Sequence, residues 1–275
     1  MIRLLSTLIT LGTLAGSGWW TWHHVPAVRV FVLQHLDLTT APGFQTLEAR
    51  YTPDQIMEAQ KSSLISDADH TFARPQLKFY PYLLMEVKYT DRNARTREGT
   101  MLWGLNDAEM VLDTSTWEKT HGFGDCISVG ARSSEFKVLN TLASNNNAVS
   151  REELYRLLTV EPELLDQWID SCRQKKLIVA TGGQYRLHFE SPKLNVPPET
   201  HLHQPLVTKS FKNADRVTPR FRPNQIEAAA QAAFGSDFTV RSSREVYLPV
   251  YSIVVHNPDG TVHTSYWNAL NGKPL

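Results

Sequence analysis

Only two cysteines occur in 275 residues, too few for a disulfide scaffold or a four-cysteine zinc site. Neither charge is in excess: 28 Lys+Arg stand against 28 Asp+Glu, so the basic surplus of a typical nucleic-acid protein is missing. Charged residues make up 20% and hydrophobic ones 41%, which excludes an intrinsically disordered chain. A Walker loop, a dinucleotide-binding glycine fingerprint, a serine-hydrolase elbow and a metalloprotease helix motif are also lacking. These gaps favour a packed, non-enzymatic protein with no cofactor and no metal. The length corresponds to about two domains at roughly 150 residues each.

The N-terminus, by contrast, carries a strong signal. Leu4 to Trp22 holds no charge, and at 1.5 Å per residue it spans about 28 Å, close to the bilayer core. Arg3 precedes the run, Arg29 is the first basic residue after it, and Trp19, Trp20 and Trp22 form an interfacial aromatic belt. A cleaved signal peptide is the rival reading, with the apolar run ending at Leu14 before Ala15, Gly16 and Ser17. A lipoprotein anchor is disfavoured, because no Cys follows the run. Residues 1–24 are therefore expected to be a signal anchor or signal peptide. The bulk would lie outside the cytoplasm, as a single-pass periplasmic protein or, after cleavage, a secreted one. His23 and His24 read as interfacial.

An internal repeat organises the remainder. Thr52-Pro53-Asp54-Gln55-Ile56-Met57-Glu58-Ala59 is echoed by Arg222-Pro223-Asn224-Gln225-Ile226-Glu227-Ala228-Ala229. Both read as helix starts with Pro at the first helical position. Thr52 and Gln55 are set to form a capping box, which Arg222 is expected to lose. Each start is followed by an alternating apolar run containing Pro81 or Pro249, then a polar turn, then a return strand reaching Trp103 or Trp267. Leu105-Asn106-Asp107 and Leu270-Asn271-Gly272 close the units. Helix, strand, turn and strand make an α+β unit, a helix on a small antiparallel sheet.

The second copy resembles the PepSY module, a small cystatin-like domain of exported bacterial proteins. The likeness rests on Gln225 to Ala230, Phe234-Gly235, Val250 to Val255, Asp259-Gly260 and Ala269 to Gly272, about 55 residues with motifs of low specificity. The first copy diverges, with Arg92-Asn93-Ala94-Arg95 in place of Asp-Gly. The resemblance implies a non-catalytic binding or peptidase-modulating module of the envelope and brings no catalytic residue with it.

Between the copies the pattern changes. Phe136, Val138, Leu139 and Leu142 mark a helix ending at Asn145-Asn146-Asn147, and Ser150 with Glu153 opens a second as a capping box. Glu161-Pro162 starts a third, with Leu165, Trp168, Ile169 and Cys172 on its apolar face. Leu177 to Val179 and Tyr185 to Leu187 flank a Gly182-Gly183 hairpin turn. Three helices and a hairpin resemble a winged helix. The third helix would be the one to enter DNA, yet it begins with Glu161, Glu163, Asp166 and Asp170. Residues 132–190 carry eight basic and eight acidic side chains, so the phosphate-binding footprint is missing.

Four clusters remain. His121-Gly122-Phe123-Gly124-Asp125-Cys126 suggests a thiol nucleophile, or else a glycine-containing turn between domains. Cys126 and Cys172 are a candidate disulfide in an oxidising compartment, although Cys172 also reads as a buried small hydrophobe. Glu199, His201 and His203 offer metal-ligand types, but in a proline-rich connector with too few ligands for zinc. From Lys193 to Arg222 six basic residues face Glu199 and Asp215, a patch for anionic lipid or an acidic partner, or simply a solvated linker.

The expected organisation is thus a first α+β module over 25–125, a winged-helix-like domain over 130–190, a basic linker over 191–220 and a second module over 221–275. The expected role is binding a protein or peptide partner in the envelope, with membrane attachment through residues 4–22 and no nucleic acid. The partner surface would lie on the sheet faces around Tyr80, Tyr82, Trp103, Tyr247, Tyr251 and Trp267, some of which strand alternation assigns to the core. A membrane-tethered DNA-binding regulator and a cysteine hydrolase centred on Cys126 are the alternatives.

Overall fold

A computed structural model describes residues 43–65, 71–91, 93–145, 148–212 and 214–275. The apolar run 4–22 and the His23-His24 pair lie outside the described residues. Among those described, no helix is long and apolar enough to cross a membrane.

The chain opens with β1 (Gly43–Leu47), then α1 (Pro53–Ala59) and α2 (Lys61–Leu64). Strands β2 (Thr71–Phe72), β3 (Gln76–Thr90), β4 (Thr96–Gly104), β5 (Met110–Asp113) and β6 (Glu118–Lys119) follow. The middle contains α3 (Phe123–Ser128), α4 (Ser133–Ser144), β7 (Val149–Ser150), α5 (Arg151–Leu158) and α6 (Pro162–Gln174). It closes with the hairpin β8 (Ile178–Thr181) and β9 (Gln184–Leu187). Then come β10 (Leu206–Ser210), β11 (Asp215–Arg216), α7 (Pro223–Phe234), β12 (Thr239–His256) and β13 (Val262–Asn268). The fold is mixed α+β, built on a ten-stranded, mainly antiparallel sheet in the order β10-β1-β12-β3-β4-β5-β6. Strands β2 and β13 also pair β12, and β11 pairs β3.

The two helix–hairpin stretches share this sheet, because β3 and β12 pair antiparallel from Lys88 opposite Thr239 to Phe79 opposite Pro249. The register is symmetric about Tyr80 and Leu248: Pro81 faces Tyr247 while Pro249 faces Phe79. Proline has no N–H to donate, so a central strand tolerates it only where no ladder bond is lost. The carbonyl of Pro81 accepts the N–H of Leu105, and that of Pro249 accepts the N–H of Ala269, each 3.1 Å away. Each proline nitrogen therefore points away from the β3–β12 ladder.

The chain before each helix is fixed in a corresponding way. Thr46 lies parallel beside Tyr247, and Arg216 lies parallel beside Phe79. Arg50 and Tyr51 both donate backbone N–H to the carbonyl of Ala269, at 2.9 and 3.0 Å. Arg220 and Phe221 do the same to Leu105, at 3.0 and 2.8 Å. At α1 the capping box of Thr52 and Gln55 closes. At α7 half of a box survives, contrary to expectation. Gln225 Oε1 still accepts the N–H of Arg222 at 2.9 Å, because that half needs only the glutamine.

One sheet face carries Leu83, Met85 and Trp103, packed in a single core with Phe123, Phe136, Leu139, Leu165 and Ile226. The core of the 130–190 region is therefore continuous with that of the sheet. Within the region, Ser150 caps α5 by accepting the N–H of Glu153, and Pro162 opens α6. A short strand unforeseen in the sequence, β7, joins the hairpin in the order β7-β9-β8. The carboxylate of Glu135 on α4, 1% exposed, accepts bonds from Ser171 Oγ at 2.5 Å and Lys175 Nζ at 2.7 Å. It ties α4 to the end of α6.

The segment 191–220 is no simple solvated linker. Thr200 donates its N–H to Thr100 at 2.7 Å, His201 donates to Leu112 at 2.9 Å, and β10 pairs with β1. The segment supplies backbone partners that the edges of β4 and β1 would otherwise lack, which is why its polar chain stays on the fold.

Candidate functional site

The aromatic side chains expected to form a partner surface divide unevenly. Trp103 is 0% exposed, Trp267 4%, Tyr82 5% and Tyr247 7%, so these four belong to the core. Both sheet faces are covered, and strand alternation therefore sends residues of either parity inward. Tyr251 is half-buried against Ile253 and Trp267. Tyr80 is half-buried on the opposite face, its ring 6.4 Å from that of Tyr266.

Beside Tyr80 the sheet opens into a cavity of about 290 Å³, at the symmetric point of the β3–β12 register. Tyr80, Tyr82 and Leu248 make its apolar wall, and Asn106, Asp107 and Lys119 its polar end. Strand β6 presents Lys119, and the turn after β4 presents Asp107. Gly104 leaves room for the Asp107 carboxylate in that position, because a Cβ there would lie 2.0 Å from Asp107 Oδ1. Lys119 Nζ sits 2.7 Å from Asp107 Oδ2, and 5.6 and 5.9 Å from the ring centres of Tyr82 and Trp117. Burial opposes the charge on Lys119, but Tyr82 and Asp107 outweigh it and hold the ammonium above its ordinary pKa. Burial pushes the Tyr82 hydroxyl up to about 12, against the pull of Lys119. Asn106 Oδ1 is buried with no hydrogen-bond partner among the described residues. The arrangement is an apolar slot with a fixed ion pair and an unused acceptor. It suits recognition of a side chain, whereas a permanently protonated lysine makes a poor base.

The glycine-rich stretch before Cys126 does structural work. Glu109, which nothing in the sequence pattern singled out, accepts the N–H groups of Gly122 and Gly124, both at 2.9 Å, and the hydroxyl of Thr120 at 2.6 Å. Gly122 has φ +110°, and a Cβ at Gly124 would lie 2.5 Å from the carbonyl of Asp107. Both glycines are required by the turn. Cys126 is 0% exposed, and burial, with Asp125 and Glu109 adding to it, pushes its thiol far above the ordinary range. An activated nucleophile needs the opposite shift.

The candidate Cys126–Cys172 disulfide is not formed, in keeping with the alternative reading of Cys172 as a buried small hydrophobe. Both cysteines are free, buried and packed in the apolar core as small hydrophobes. Glu199, His201 and His203 are not brought together as ligands. Glu199 accepts the Tyr89 hydroxyl at 2.9 Å, and His203 Nε2 lies 3.3 Å from Asp113 Oδ2. Among the described residues no group of three or more His, Cys, Asp and Glu is placed to hold a metal. Of the basic connector residues, Arg216 stacks on Phe211 at 4.5 Å and Lys193 pairs with Glu118.

No family model, no curated protein and no solved structure matches this chain.

Proposed function

We propose that this chain is an envelope protein, anchored by or exported through residues 4–22, that binds a protein or peptide partner and performs no chemistry of its own. In this reading the two helix–hairpin stretches are copies of one PepSY-like, cystatin-like unit, joined strand to strand. The matched register of Thr46 with Tyr247 and Arg216 with Phe79 supports the relationship. So do the paired N–H donations to Ala269 and Leu105. The region 130–190 is a winged helix used for packing. Its strand order β7-β9-β8 and its three helices support that assignment. The exposed acids Glu163 and Asp170 on α6 oppose a DNA-reading role.

The observation that carries the binding role is the slot lined by Tyr80, Tyr82 and Leu248 and ended by the Asp107–Lys119 pair. An apolar slot with one oriented charge pair matches what a protein interface uses to seat a partner's side chain. The test combines topology with contact. A reporter fused after Leu275 is expected to be active outside the cytoplasm, and a photo-reactive phenylalanine at position 80 to cross-link one discrete partner in intact cells. Activity confined to the cytoplasm overturns the envelope assignment and favours the DNA-binding alternative. Absence of an adduct at position 80 overturns the binding role of the slot.

A further inference from the structure

The segment running from Thr200 to β10 walls a second cavity, about 490 Å³, on the same sheet face. Its apolar lining comes from Leu84, Leu202 and Leu206, and its polar lining includes Gln45, Gln204, Glu86 and Arg244. Gln204 is only 6% exposed, yet neither its Nε2 nor its Oε1 has a hydrogen-bond partner among the described residues. Gln45, in the lining of the same cavity, has a buried Oε1 that is likewise unpartnered among the described residues. A buried amide with both ends unpaired carries its full desolvation penalty, which a ligand offering a donor and an acceptor would relieve. Arg244 is exposed and makes no ion pair among the described residues.

We propose that this cavity binds a short aliphatic peptide segment carrying a carboxylate. The proposal rests on the partner-binding reading above and deepens it. A primary amide pairs in two-pronged fashion with the N–H and C=O of one extended residue, which point to the same side, its Oε1 accepting the ligand N–H and its Nε2 donating to the ligand carbonyl. Gln204 reaches that position by turning about its own side-chain torsions toward the cavity, since its amide is closed off from solvent where it lies. Arg244 supplies the planar fork for a carboxylate. Glu86, which accepts the Ser242 hydroxyl at 2.8 Å, stands in the same cavity and repels a polyanion such as nucleic acid or a polyphosphate. No aromatic ring among the described residues lines the cavity, so a sugar would find no stacking surface there, whereas Leu84, Leu202 and Leu206 suit an aliphatic side chain.

The test uses the full chain in detergent micelles and two mixtures of acetylated tetrapeptides ending in Leu-Val, one with free C-terminal carboxylates and one amidated. Retained peptides are counted by mass spectrometry after ultrafiltration. Free acids are expected to be retained at least tenfold over amides. Arg244→Met should abolish that preference, and Gln204→Leu should lower retention at least tenfold without lowering the Tm. A merely structural Gln204 would leave retention unchanged on substitution, and that result, or failure to retain any peptide, overturns the proposal. A cross-link at position 80 together with no retained peptide overturns this assignment alone and leaves the partner-binding reading standing.

Discussion

The two hairpins of the sheet carry corresponding side chains in unequal surroundings. Trp103 faces Leu83 across β3–β4, and Trp267 faces Tyr251 across β12–β13. The first hairpin is covered by α7, α3 and α4, and its outer edge is paired by β5 and by Thr200. Among the described residues the second is covered by the short helices α1 and α2, in a cluster of Ile56, Leu64, Ile253 and Trp267 with Phe72 of β2 packed against it. Its outer strand is met by Asn268 donating to Lys273 and Leu275 donating to Tyr266, while Val262 remains 55% exposed. The same local pattern therefore yields one deeply packed hairpin and one lightly held, because burial depends on what the rest of the chain lays over it.

Truncating the two tryptophans should break this equivalence most visibly. Trp103 is 0% exposed, donates its indole N–H to Ala108 at 2.7 Å and lies 5.0 Å from the Phe123 ring. Trp103→Ala is expected to cost about 4–5 kcal/mol in urea unfolding of the full chain, the upper end for large-to-small core changes. Trp267→Ala should cost about 3 kcal/mol, because fewer neighbours surround it. Equal losses would show that the covering helices contribute nothing to the difference.

The middle region favours the first hairpin through Glu135. Glu135→Ala leaves Lys175 without its buried partner and should cost about 2–3 kcal/mol. The pH dependence has a definite sign. Although burial opposes the charge on Glu135, the bonds from Lys175, Ser171 and the Arg132 N–H outweigh it and lower the carboxyl pKa below its ordinary value of 4.5. The tie is therefore fully present above the unfolded-state pKa and is lost as pH falls through the lower folded-state value. Acid titration should open hydrogen exchange in α4 and α6 before it does so in α1. Simultaneous opening would deny the middle region its separate contribution.

The smallest contrast lies at the hairpin tips. Ala94 has φ +56° and Gly260 has φ +85°, each closing a turn with its N–H bonded to Asp91 or Asn257, both at 3.0 Å. Ala94→Gly should stabilise the chain by about 0.5–1 kcal/mol and Gly260→Ala destabilise it by about 1 kcal/mol. A Cβ at Gly260 would meet nothing within 4 Å, so the cost reports backbone strain alone. Thermal unfolding of both variants checks the pair of signs.

Much of this architecture was legible in the residues. The helix starts at Pro53, Pro162 and Pro223, the Ser150 cap and the Gly182-Gly183 turn all fall where capping and turn chemistry put them. These are local effects, set by groups within a few residues of one another. The slot was only half legible. Tyr80 and Tyr82 stood out as strand aromatics, but Lys119 reaches Tyr82 from another strand, and no spacing rule connects them. Which of the six strand aromatics are buried, namely Trp103, Trp267, Tyr82 and Tyr247, was not legible, because alternation identifies a face without saying what covers it.

Local order, then, was determined by sequence alone where capping and turn chemistry act: the helix starts at Pro53, Pro162 and Pro223, the Ser150 cap and the Gly182-Gly183 turn, together with a zero net charge that extends to the region 132–190. Tertiary structure decided that β3 pairs with β12, that 191–220 joins the sheet, that both thiols are free and buried, and that the Gln204 amide finds no partner among the described residues. The physical reason is range. Capping and turn geometry are satisfied within one or two turns of chain, whereas pairing and burial depend on partners far away in sequence, Tyr247 for Pro81 and Ala269 for Arg50.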